Sequence, residues 1–151
     1  MSLRKGQNME GKARIITNKG ILHTVSFDTT PQEVEERHLI KLLREANKTA
    51  WTSGTGLAAI QIGIHLRFAW FIHDGKEGTL LNPVIINKWG EDTAKEGCLS
   101  IPHTWIDVKR AYEIEYLTNG KKKRARGFLA RLIQHEIDHM DGILITDRVI
   151  Q

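Results

Sequence analysis

Nothing in this chain is long and apolar enough to cross a membrane. A span needs roughly 20 consecutive apolar residues, and segments as apolar as LRFAWFI (Leu66 to Ile72) end after a handful. The opening MSLRKGQNMEGK likewise lacks the apolar stretch of a secretory signal. Cysteine is reduced to Cys98 alone, so no internal disulfide can form and nothing points to an oxidising compartment; a cytoplasmic location is the expectation. Internal repeats and low-complexity tracts are absent. Charge is only weakly biased, with 22 Lys and Arg against 18 Asp and Glu leaving +4. Its one concentrated block, KKKR from Lys121 to Arg124, reads as a solvated strand or loop, with weak attraction to RNA or another polyanion as the sharper alternative. No sequence-specific nucleic-acid partner and no membrane partner are expected.

What is present suits one domain with a real hydrophobic core: 151 residues are too few for two ordinary ones. A single domain over 1–151 is expected, with 1–12 a flexible polar arm or partly a remnant of expression, and Met9 an alternative start. Thr30 as N-cap, Pro31 at the first helical position and Glu33 three after the cap mark a helix start. Val34, Leu39, Leu42, Leu43 and Ala46 then follow a roughly helical stripe, predicting one long helix over about 31–50. LRFAWFI and LLNPVIIN (Leu80 to Asn87) are short, rich in branched and aromatic residues and bounded by Gly or Asn, which predicts strands. TWIDVKR (Thr104 to Arg110) and YEIEYLTNGKKKRA (Tyr112 to Ala125) alternate apolar and polar residues, and Asn119-Gly120 signals a hairpin. A final helix starts near Arg126 to Phe128, with Phe128, Leu129, Leu132, Ile133, Ile137 and Met140 as its buried side and Gly142 in a left-handed C-terminal position. The expected class is α+β: mostly antiparallel sheet packed around the C-terminal helix, with one long N-terminal helix.

That last helix carries QHEIDHMDG (Gln134 to Gly142). Side chains four apart on a helix lie one above the other, so His135 and His139 share a face at a spacing suited to two ligands on one cation, with Glu136 beside them and free of ligation. A tetrahedral site needs a third protein donor. A zinc endopeptidase of the HExxH kind takes it downstream, but here only GILITDRVIQ follows, with Asp147 its sole carboxylate. Upstream stand Cys98, in the loop-like EGCLS, and His23, His38, His65, His73 and His103. The residues alone leave this choice open, because a lone cysteine is usually a small core hydrophobe. Gln61 also has a plain reading, as a cap on the turn after GLAA.

GTGLAAIQIG (Gly54 to Gly63), EGCLS (Glu96 to Ser100) and QHEIDHMDG resemble, in order and approximate spacing, the three signature motifs of peptide deformylases, which remove the formyl group from N-formylmethionine on new polypeptides. The likeness runs from about Ile15 to Arg148 and includes GFLARLIQHE. It implies Cys98 as the third ligand with His135 and His139, around Fe²⁺ natively, with Zn²⁺, Ni²⁺ or Co²⁺ able to take the place, and a fourth position open to water. It implies Glu136 as general base and then general acid, and the Gln61 side-chain amide with the Leu99 backbone N–H as donors to the developing oxyanion. An extended substrate is expected along Gly54, Thr55 and Gly56. Glu96, next to Gly97, is expected to orient its loop through bonds to the backbone. The methionine pocket is expected at Phe128, Leu132 and Thr55, with Arg131 near its mouth. Asp138 is expected to play a structural part.

The likeness has departures. Thr55 stands where Val or Ile is common, Ile60 where Pro is common, Met140 where Leu is usual, and Trp105 where a smaller or basic residue is common. The nine residues after Gly142 hold no helix like the one many bacterial relatives direct at the ribosome. The expected partners are therefore formyl-methionyl nascent peptides, with at most a weak ribosome contact. The alternative to an active hydrolase is a catalytically weak or inactive paralogue that binds N-terminal peptides.

Overall fold

A computed structural model describes residues 13–149, so the polar arm expected at 1–12 lies outside the described residues. After a short helix α1 (Lys19–Leu22), the expected start signal is realised: α2 (Pro31–Glu36) begins at Thr30, whose hydroxyl accepts the Glu33 N–H at 3.1 Å. The single long helix expected over 31–50 is not formed. It is broken at Arg37 and His38, where His38 takes a left-handed φ of 53°, and α3 (Leu39–Lys48) restarts beyond. The reason lies in the phase of the stripe. Leu39, Leu42, Leu43 and Ala46 keep i, i+3, i+4, i+7 spacing, but Val34 precedes Leu39 by five, which in a continuous helix would turn it well off that face. The break lets both Val34 and the α3 stripe be buried.

Among the described residues the named strands pair antiparallel, and Phe27 and Leu66 form an isolated parallel bridge. β1 (Gly56–Ala58), β2 (Phe68–His73) and β3 (Lys76–Leu81) form one sheet in that order. β4 (Val84–Trp89) belongs to a second. The segment Leu80 to Asn87 is thus not one strand: Asn82, at φ 47°, and Pro83 turn the chain between β3 and β4. β5 (Asp92–Cys98) and β6 (Ile101–Arg110) make a separate two-stranded hairpin, and β7 (Glu113–Thr118) with β8 (Lys121–Arg126) completes the second sheet in the order β4-β7-β8. The Asn119-Gly120 hairpin forms with both residues at positive φ, 50° and 73°. KKKR lies on β8 as an exposed edge strand.

The first sheet is buried on both faces, which is why LRFAWFI shows no alternation. Leu57, Phe68 and Trp70 pack with Leu39, Leu42 and Leu43 of α3, while Ala58, Ala69 and Leu80 face the other way. There they meet Ala130, Ile133, Ile137 and Met140 of α4 (Gly127–Met140), together with Ile114 and Tyr116 from the one buried face of β7. This second core fixes the helix that carries the histidines. Phe128 departs from the expected buried side: it is 56% exposed and stacks on His73 at a centroid distance of 6.1 Å. As the second residue of α4 it precedes the helix's burial, which becomes continuous from Ala130 to Gln134.

The helix ends as expected, on a left-handed Gly142. Its N–H reaches the His139 carbonyl at 3.2 Å, and the Ile143 N–H reaches that of Asp138 at 2.8 Å, satisfying carbonyls the last turn would orphan. Gly142 also packs on the chain before β1, since a Cβ there would lie 2.5 Å from the His23 carbonyl oxygen. Gly120 has a similar φ of +73° with nothing within 4 Å. Gly120→Ala should therefore cost only the left-handed penalty of about 1–2 kcal/mol, and Gly142→Ala clearly more. Urea unfolding of both variants checks this, and equal losses would mean that the contact at His23 carries no weight.

Candidate metal centre

Three donors converge where the β5–β6 hairpin meets α4. The Nε2 atoms of His135 and His139, one helical turn apart, lie 3.2 Å from each other, and Cys98 Sγ at the end of β5 lies 3.4 Å from His139 Nε2. Ligand atoms bound tetrahedrally at about 2.1 Å for nitrogen and 2.3 Å for sulfur sit about 3.4 Å and 3.6 Å apart. Both of these pairs are thus within a few tenths of an ångström of the spacing a cation requires, and all three donor atoms lie within 4.8 Å of one another. Four of the other five histidines are engaged elsewhere, His23 with Asp147 at 3.1 Å, His65 with Thr24 at 3.2 Å, His73 against Phe128 and His103 against Trp51, and His38 sits at the break between α2 and α3, outside the donor cluster. Asp147, the one downstream carboxylate, also accepts the Leu144 N–H at 2.8 Å, which removes it as a third ligand.

The electrostatics suit metal binding. Burial pushes the Cys98 thiol up, but the adjoining His139 and His135 outweigh it and hold the thiol well below its ordinary range, favouring the thiolate that binds cations. Burial pulls the other way on His135, yet Cys98 and Glu96 raise it to about 10. A proton thus sits comfortably among these atoms, and a divalent cation satisfies the same negative sulfur by displacing it.

Glu96 holds the arrangement together. Its carboxylate is 7% exposed and accepts Arg110 Nε at 2.9 Å and Nη2 at 2.8 Å, Arg131 Nη1 at 2.6 Å and His135 Nδ1 at 2.9 Å. Burial would raise its pKa, but Arg110 and His135 overcome this and hold the carboxyl below the usual carboxylate range. Since an ionised carboxylate only accepts, His135 Nδ1 must carry a proton, which leaves the Nε2 lone pair for a metal. Glu96 therefore acts through ion pairs, not through the backbone bonds expected from the sequence. Arg131 borders the cleft as well. It is buried, and it further donates to the Val108 carbonyl at 2.8 Å and the Asp92 carbonyl at 2.6 Å. Asp138 accepts from Arg110 and from Arg148, extending the network along the helix.

Glu136 is 2% exposed, and one of its carboxylate oxygens has no hydrogen-bonding partner among the described residues. Burial raises its pKa. It faces a cleft whose walls include Gly54, Thr55, Gly56, Gly97, Leu99 and Leu132. A Cβ on Gly56 would meet Leu132 at 3.0 Å and Glu136 at 3.3 Å, so only glycine leaves this stretch of edge strand β1 so close to the carboxylate. The plain reading of Gln61 as a cap holds. Its carbonyl oxygen caps the turn, accepting the Ala58 N–H at 3.0 Å, while its amide nitrogen donates to Ser100 Oγ at 3.1 Å and lies 3.6 Å from Cys98 Sγ. The sequence reading missed Arg110. The signal was available: on the alternating strand TWIDVKR, Arg110 shares a face with Val108 and Ile106, and a buried arginine demands a buried carboxylate.

A helix-borne histidine pair, a strand-borne thiolate and a buried carboxylate on an open cleft define a three-donor centre of the metal-dependent hydrolase type. Comparison with known proteins narrows the class. The polypeptide deformylase family matches residues 13–151. Peptide deformylase of Dictyoglomus thermophilum is 40% identical over 126 residues, covering 80% of this chain and 82% of that protein, and peptide deformylase 1 of Bacillus subtilis is 40% identical over 142 residues, covering 87% and 89%. Among solved structures, peptide deformylase from Thermotoga maritima superposes with a TM-score of 0.84 at 28% identity over 93% of this chain and 99% of that one. The Synechococcus elongatus peptide deformylase in complex with actinonin gives 0.81 at 31% identity over 99% and 85%. The chain belongs to the polypeptide deformylase family, enzymes that hydrolyse the N-formyl amide of nascent peptides.

Replacing Glu96 by Gln removes the charge that two buried guanidiniums share, and breaking a buried pair of this kind costs about 3–5 kcal/mol. It also weakens the hydrogen bond that orients His135, an effect worth about 10–100-fold in metal affinity. Denaturant unfolding and competition with a chelator measure the two losses separately. Full metal retention in Glu96→Gln would show that Glu96 does not position His135.

Proposed function

We propose that this chain removes the formyl group from N-formylmethionyl peptides, with Cys98, His135 and His139 holding one divalent cation, Fe²⁺ natively and Zn²⁺, Ni²⁺ or Co²⁺ as substitutes. The observation that carries this is the buried Glu136 carboxylate, partly unpaired and opening on the cleft beside the three donors. A bound cation supplies Lewis acidity that brings the ionisation of water near neutral pH.

The chain's own residues do the remainder. The formylated end lies extended along edge strand β1, where Gly54, Thr55 and Gly56 leave room for backbone pairing, and the methionine side chain enters between Leu132 and Phe128. Glu136 accepts the proton of the attacking water and passes it to the departing amine as the formyl C–N bond breaks, giving formate and a free N-terminus. Its raised pKa suits a group that must take up a proton and give it back. Charge developing on the formyl oxygen is met by the Gln61 amide N–H and the Leu99 backbone N–H. Gln61 is ready for this because its carbonyl end is fixed on the Ala58 N–H, so the donor end needs no further ordering. Glu96 and Arg131 border the cleft, but serve by holding β5 and the helix in register. The substrate is the nascent polypeptide in the cytoplasm.

Formate release from formyl-Met-Ala-Ser, with metal content determined on the same anaerobically prepared sample, tests the reading. Glu136→Ala should keep its metal and lose at least about 10²-fold in turnover. Wild-type rates in that variant would remove Glu136 from the reaction, and metal-loaded wild-type protein that yields no formate would leave only a peptide-binding paralogue. Gln61→Leu should lower kcat by about 10²–10³-fold, the usual cost of one oxyanion donor, with KM nearly unchanged. A change in KM alone would limit Gln61 to capping its turn.

A further inference from the structure

The hydrolase reading accounts for the inner walls of the cleft but not for the aromatic rings on its lip. Trp51 is 37% exposed and Trp105 61% exposed, and both line the same cleft as Cys98 and Glu136. With His103 they form one cluster: ring centroids of Trp51 and His103 are 4.7 Å apart, and those of Trp51 and Trp105 6.4 Å apart in an edge arrangement.

The backbone builds this cluster. Glu96 pairs with Ile106 and Cys98 with Ile101, so β6 carries the four residues Pro102 to Trp105 opposite the single Gly97. Such a bulge re-aims side chains, and here it includes His103 at a φ of +58°. The Trp105 indole is seated on Gly97, where a Cβ would meet a ring carbon at 2.4 Å. Trp51 is fixed from the other side, its Nε1–H donating to the Leu99 carbonyl at 3.1 Å. Lys95, which also borders the cleft, pairs with Asp107 at 3.3 Å. Large rings held in set orientations at the mouth of a cleft offer contact area at little cost in side-chain entropy.

We infer that Trp51, His103 and Trp105 form a subsite that takes an aromatic or long apolar side chain from a substrate residue beyond the methionine, making this chain selective for the residues that follow it. The inference rests on the deformylase reading. An extended peptide advances about 3.3 Å per residue, so with the methionine beside Leu132 the second and third residues are the ones that pass the lip. Contact with such rings favours an aromatic side chain by about 3- to 10-fold in kcat/KM.

The test compares formate release by the metal-loaded protein from formyl-Met-Ala-Ala, formyl-Met-Phe-Ala and formyl-Met-Ala-Phe. One phenylalanine peptide should exceed the alanine peptide by about 3- to 10-fold, chiefly through KM. That ratio should fall toward one in Trp105→Ala and be partly restored in Trp105→Phe. A second reading needs no turnover: tryptophan fluorescence titrated with Met-Ala-Ala, Met-Phe-Ala and Met-Ala-Phe should show tighter binding of one phenylalanine peptide in the wild type, lost in Trp105→Ala. Equal kcat/KM for all three peptides, or a ratio that survives Trp105→Ala, overturns the subsite. If no peptide releases formate, the hydrolase reading fails, and the fluorescence titration alone then upholds or overturns the aromatic subsite.

Discussion

The centre depends on one buried carboxylate, that of Glu96. The hairpin of β5 and β6 forms its own two-stranded sheet and, among the described residues, pairs with no other strand. What places its thiol against α4 is side-chain contact. Glu96 bridges Arg110 on its partner strand to Arg131 and His135 on the helix, and Arg110 continues to Asp138 three residues beyond His135. Because the same carboxylate touches a ligand ring, the position of the hairpin and the tautomer of His135 are set together. A small apolar cluster of Leu22, Ile101, Val108, Leu144 and Ile145 packs with Cys98.

Burying several charges is an expensive way to attach a hairpin, since desolvation can exceed the Coulombic gain. A hydrophobic contact of the same area would hold the hairpin as firmly but would tolerate sliding. Fork-shaped guanidiniums bound through two nitrogens do not, because their hydrogen bonds fix direction as well as distance. For a site whose donors must meet within tenths of an ångström, that directional hold is the useful property. The opposite treatment of Glu136 completes the picture. Two carboxylates on neighbouring elements are both buried, one held below its usual pKa by arginine and histidine and the other pushed above it by burial, so one stays charged as structure while the other can exchange a proton.

Much of this was legible in the sequence, because the informative signals were local. The helix of the HExxH motif, its Gly142 terminus, the Asn119-Gly120 hairpin and the Thr30 cap each depend on residues a few positions apart, and each formed as expected. The three motifs likewise announced the donors. What escaped depends on tertiary partners. The long helix was interrupted at His38 because two different surfaces needed burial, and Phe128 stayed on the lip because it stands ahead of the continuously buried part of α4. The roles of Arg131 and Arg110 required knowing that both meet Glu96 across sequence separations of 35 and 14 residues. No local pattern encodes such a meeting, although an arginine on the inward face of β6 was a clue to it.

The most direct test of the central claim is X-ray absorption spectroscopy at the edge of the metal bound to the purified protein. One sulfur at about 2.3 Å and two imidazole nitrogens at about 2.0–2.1 Å, with the sulfur contribution gone in Cys98→Ser, is the predicted result. A wild-type spectrum without a sulfur neighbour would contradict the account, because the thiol of the hairpin and the imidazoles of the helix would not share an ion.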